Sequence, residues 1–101
     1  MLVTLTLTTL KPDAVAWFPD FSEENQQAVA RINAWTRSQP GFISQNTVDT
    51  DVNTRVMTFK FNSVENYTNW SSLRNSLPEQ IARVAYNKSN GMTFILDETL
   101  S

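Results

Sequence analysis

The chain has 101 residues, 41% of them hydrophobic and 18% charged, with only two glycines. That suits one folded domain, residues 1–101, burying roughly 65% of the surface its unfolded form exposes, and it excludes a disordered chain, which needs fewer apolar residues and more net charge. A net charge of −2 with no cysteine and no histidine excludes a disulfide framework, a thiolate zinc centre, histidine-based catalytic triads and the usual proximal haem ligand.

In chain order, Leu2 to Leu10 alternates, with Val3, Leu5 and Leu7 against Thr4, Thr6 and Thr8, so a half-buried strand is expected. The segment lacks the positive start of an export signal, no later stretch approaches the ~20 apolar residues of a membrane helix, and a cytoplasmic location is expected. Lys11 to Asp20 carries Pro12 and Pro19 and reads as a loop. Its Trp17 and Phe18 are apolar enough to fold back as a lid on the core. Asp20 with Glu23 has capping-box spacing, and Ser22 also offers a cap. A helix to about Gln39 follows, with Ala28, Ile32 and Trp35 in one stripe beside Val29 and Thr36, until Pro40-Gly41 stops it.

Phe42 to Val48 reads as a second strand, Asp49 to Asn53 as a turn and Thr54 to Asn62 as a third strand, with Met57, Phe59 and Phe61 on one face. Ser63 caps a helix through about Ser76. Pro78 opens another to Lys88. After Asn90-Gly91, Met92 to Asp97 is the last strand. The order β-α-β-β-α-(α)-β predicts an α+β, ferredoxin-like split βαβ fold, a four-stranded antiparallel sheet with helices on one face.

Several motifs reduce to structure. Asp49-x-Asp51-x-Asn53 imitates a calcium loop, but Thr54 stands where glycine is needed and Lys60 where the bidentate glutamate belongs. Sequons at Asn66, Asn69 and Asn87 fall in predicted helices. Gly41 and Gly91 are isolated, so no phosphate loop exists. The eight lysines and arginines are scattered along the chain, and no nucleic-acid footprint is visible.

Pro40-Gly41-Phe42, and Val56 to Trp70 as a strand, Ser63-Val64-Glu65 and a helix carrying Trp70, resemble the antibiotic-biosynthesis-monooxygenase-like dimeric α+β barrels. The resemblance implies a ferredoxin-like half-barrel that pairs its sheet with a second copy. The sequence agrees: Thr4, Thr6, Thr8, Val56, Thr58 and Ile95 make an outer face on which Lys60 is the clearest charge, and uncharged β-branched surface suits sheet-on-sheet contact. A homodimer is therefore expected. The family includes cofactor-free oxygenases and haem degraders. The latter resemble this chain only at Trp70, because their first-strand asparagine and later histidine have no counterpart here. No cofactor and no metal are expected.

Tyr67, Trp70 and Arg74 share one helical face, with Asn66 beside them, Tyr86 on the next helix and Phe94 on the last strand. They are the candidate pocket residues for a small apolar or aromatic ligand, with indole and phenol stacking on it and Arg74 or Asn66 orienting an oxygen. The same stripe also reads as ordinary core, with Tyr67 and Trp70 packing on Met57, Phe59 and Phe94 and Arg74 at the surface. Two functions stay open: a small-molecule pocket protein, whose enzymatic form would be a cofactor-independent oxygenase of an aromatic or enolate-like compound, and a non-catalytic homodimeric binding or assembly domain.

Overall fold

Alternation at the N-terminus produces β1 (Val3–Leu10) in the computed structural model, which describes residues 1–101. Next come α1 (Phe18–Phe21), α2 (Glu23–Arg37), β2 (Phe42–Asp51), β3 (Thr54–Phe61), α3 (Val64–Ser76), α4 (Pro78–Ser89) and β4 (Thr93–Leu100). The strands form one sheet in the order β2-β3-β1-β4, each neighbouring pair antiparallel. This is the split βαβ arrangement expected from the element order. No helix is long and apolar enough to cross a membrane.

Register sorts the side chains. Val3, Leu5 and Leu7 stand opposite Phe61, Phe59 and Met57 on the face towards the helices, while Thr4, Thr6 and Thr8 stand opposite Lys60, Thr58 and Val56 on the other. The core joins Val3, Leu5, Met57, Phe59 and Phe61 to Tyr67 and Trp70 of α3. On the outer face Asp97 pairs with Thr6, and Ile95 with Thr8. Asp97 therefore adds a charge beside Lys60 that the strand pattern did not bring out.

The boundaries differ from the sequence reading where a side chain decides them. Asp20 lies inside α1, and the cap of the long helix is Ser22 alone, whose Oγ accepts the Asn25 N–H at 3.1 Å. That helix stops at Arg37 because the Ser38 and Gln39 N–H groups turn back to the carbonyls of Trp35 and Thr36. β2 runs three residues past Val48. The Asp49 carboxylate takes Arg55 Nε–H at 2.7 Å across the hairpin and holds the strands together there. The turn shrinks to Val52-Asn53, with Asp51 Oδ1 accepting the Asn53 N–H at 2.8 Å. β4 continues to Leu100 because β1 offers it partners down to Val3. It is an edge strand that the helices leave bare, and all eight of its residues are exposed.

Candidate functional site

Because the helices stop short of β4, the inner face of the sheet keeps an open chamber of about 420 Å³ between β4, α3, α4 and the loop after β1. That falls in the range of roughly 300–1,000 Å³ common for small-molecule sites. Leu7 and Met57 form its floor, Phe94 and Leu96 one side, and Trp17 and Phe18 another. Phe94 is 66% exposed, an aromatic ring on the sheet with nothing of its own chain covering it.

The loop that carries Trp17 is pinned at both ends. The Tyr86 hydroxyl donates to the Ala16 carbonyl at 2.7 Å, and Phe18 and Phe21 pack on the Tyr86 ring at 5.5 and 5.3 Å. At the other end the Lys11 N–H donates to the Asn53 carbonyl at 2.9 Å. The Trp17 indole lies between the Arg55 guanidinium, 4.5 Å from its centre, and the Lys11 ammonium at 5.7 Å. Trp17 and Phe18 are buried, as a lid folded onto the core requires.

The polar wall is cationic. Arg74 of α3 and Arg83 and Lys88 of α4 line the chamber with Arg55 of β3, and no aspartate or glutamate lines it. Arg74 is 8% exposed, its guanidinium 5.4 and 5.5 Å from the ring centres of Phe59 and Trp70, and its Nε–H has no partner. Arg83 leaves Nη1 unpartnered and turns Nη2 to the Met57 thioether at 3.7 Å. Burial, and then the charge of Arg83, push Arg74 down to about 10; burial, and then Arg55, do the same to Arg83. Both remain cations at neutral pH. Gln80 adds a buried carbonyl Oε1 without a donor.

Of the six residues singled out in the sequence, the chamber brings together Arg74 and Phe94. Trp70 is 1% exposed and sits between Phe59 and Phe61, ring centres at 4.9 and 4.8 Å, its indole N–H donating to Thr36 Oγ1 at 3.1 Å. It is core. Tyr67 packs beside it, its hydroxyl proton held on first by burial and then by the neighbouring Glu98 carboxylate. Asn66 donates to Asn62 at 2.9 Å against Gly41, and Tyr86 braces the loop from outside. Among the lining residues that sequence reading missed are Trp17, Arg55, Gln80, Arg83 and Lys88. A signal was present: Gln80, Arg83, Val84, Asn87 and Lys88 follow the i, i+3, i+4, i+7, i+8 spacing of a helix's inward stripe, and four of the five are polar.

Fold and chamber together define a small split-βαβ protein with a ligand-sized, partly apolar cavity on the helix side of its sheet. No family model and no curated protein match the sequence. Solved structures match over nearly its whole length. SnoaB, a cofactor-independent oxygenase from Streptomyces nogalater, superposes with a TM-score of 0.65 at 16% identity, covering 99% of this chain and 92% of that one. A provisionally assigned antibiotic biosynthesis monooxygenase from Deinococcus radiodurans gives 0.62 at 14% identity, over 97% and 91%. A conserved protein from Methanosarcina mazei gives 0.63 at 8% identity, over 98% and 92%. The chain thus has the fold of the antibiotic-biosynthesis-monooxygenase-like proteins.

Proposed function

We propose that this protein binds a flat, partly apolar small molecule in the chamber between β4, α3 and α4, and that it oxygenates that molecule without a cofactor. The observation that carries the reading is the chamber itself: an open, ligand-sized space whose walls hold two guanidinium groups, each with a buried, unused donor. Such donors are costly to leave unpaired and are suited to an oxyanion. An electron-rich aromatic or enolate can react with dioxygen directly. The protein's part is then to orient it against Trp17 and Phe94, exclude water, and stabilise negative charge on its oxygen through Arg74 and Arg83. The likeness to SnoaB supports the reaction class by fold analogy. The cytoplasm is the proposed location.

Oxygen uptake tests the proposal. A panel of enolisable aromatic ketones and naphthols is incubated with wild type and with Val84→Trp, which fills the chamber. Uptake with wild type that is lost in the variant is expected. Stable binding of these compounds with no uptake would remove the oxygenase and leave a binding protein.

A second reading concerns assembly. The outer face of the sheet carries Thr4, Thr6, Thr8, Val56, Thr58 and Ile95, and Ile95 is 64% exposed. That surface supports a homodimer formed sheet to sheet, in which the domain serves assembly without catalysis.

A further inference from the structure

The chamber holds cations without counter-ions. Four of the chain's eight basic residues line it, in a protein whose net charge is −2. Arg55 is neutralised by Asp49, with bonds of 2.7 and 3.1 Å. Arg74 and Arg83 have no carboxylate, although each guanidinium has a nitrogen fully removed from water. Burying an unpaired charge is costly, and a like charge nearby adds to the cost. Ordinary packing gives no reason for this, since methionine or leucine would fill the same positions. α4 also turns its polar stripe inward while Ile81 is 55% exposed on the outside. The orientation sacrifices apolar burial to bring cations to the chamber.

We infer that the ligand of this chamber is an aromatic acid, its flat body against Trp17, Phe94 and Met57 and its carboxylate held by Arg74 and Arg83. The inference rests on the chamber being the ligand site and adds the chemical class. A planar guanidinium matches a carboxylate with two parallel N–H···O bonds. The chamber has no glycine loop to cradle a phosphate group. Gln80 Oε1, buried and unpartnered, suits a hydroxyl on the same ring.

Calorimetric titration at pH 7 tests this with benzoate, 2-naphthoate and anthracene-2-carboxylate, each beside its neutral amide. At least one acid should bind wild type about tenfold or more tightly than its amide, the contribution of one charge-assisted hydrogen bond. Arg83→Met should erase that preference by weakening the acid at least about tenfold more than the amide, and Arg74→Met should do the same. Arg83 is only partly buried, so its variant carries the test if Arg74→Met does not fold. Val84→Trp should abolish binding of both compounds. Acid and amide binding equally, or a preference that survives both arginine variants, would overturn the acid and leave the chamber as a neutral ligand site. Acid binding that persists in Val84→Trp would place it elsewhere and overturn the inference. No binding of any probe to the folded wild type at millimolar concentration would overturn the acid and the chamber together.

Discussion

Arg74→Met should make the free protein more stable. Methionine keeps most of the length and bulk of the arginine stem and removes the charge. Burial, and then the charge of Arg83, push the guanidinium from its ordinary value down to about 10, which corresponds to roughly 3 kcal/mol at about 1.4 kcal/mol per pH unit. A base with a depressed folded pKa contributes stability only when deprotonated. That contribution is full only above the ordinary guanidinium range and is gone once pH has fallen to about 10, so the whole penalty is present at pH 7. Against it stand the contacts of the cation with Phe59 and Trp70, at 5.4 and 5.5 Å near the outer limit for such pairs, about 0.5–1 kcal/mol each and about 1–2 kcal/mol together. The variant should therefore gain about 1–2 kcal/mol, or roughly 4–8 °C in Tm per kcal/mol for a domain of this size. Urea unfolding followed by circular dichroism at pH 7 measures it, and the gap should narrow when the experiment is repeated near about pH 10.5, where the folded guanidinium loses its proton. A variant less stable than wild type would refute the reasoning, and would make Arg74 a structural clamp on the aromatic core rather than a charge waiting for a partner.

Trp70→Phe should cost about 2–3 kcal/mol, because it opens a cavity beside Phe59 and Phe61 and strands the buried Thr36 hydroxyl; an unchanged urea midpoint with lost ligand binding would instead put Trp70 in the site. Gly41→Ala should cost about 2–4 kcal/mol, since Gly41 has φ +79° and an added Cβ would lie 2.8 Å from Asn66 Cβ. Thermal melts of Gly41→Ala beside Arg37→Ala, an exposed control in the last turn of α2, separate this from a general surface effect. Light scattering with size exclusion should give twice 11.5 kDa for wild type, and Thr8→Lys, placed between Val56 and Ile95, should shift it to the monomer by burying an uncompensated charge. Thr6→Lys is a weaker probe because Asp97 stands opposite to pair with it.

Periodicity alone was enough for the strands and for α2, α3 and α4, but not for the short α1, which lies partly in the segment read as a loop. Val3, Leu5 and Leu7 can face one side only, and Ser63, Pro78 and Pro40-Gly41 mark helix ends by local chemistry that needs no tertiary partner. That Tyr67, Trp70 and Arg74 share one face of α3 was equally legible from their spacing, but an arginine at the end of that stripe reads as surface, and the fold buries it. Whether that face meets core or cavity was not legible, because it depends on how far the helices extend over the sheet. The first two residues reach Phe59 and Phe61, while Arg74, one turn further on, reaches the gap beside β4. Tertiary structure also decided the charge of the site. Arg55, Arg74, Arg83 and Lys88 look scattered along the chain, and they become one cationic wall only because β3, α3 and α4 converge there. Asp49, the acid that β2 brings towards this wall, is already taken up across the hairpin by Arg55.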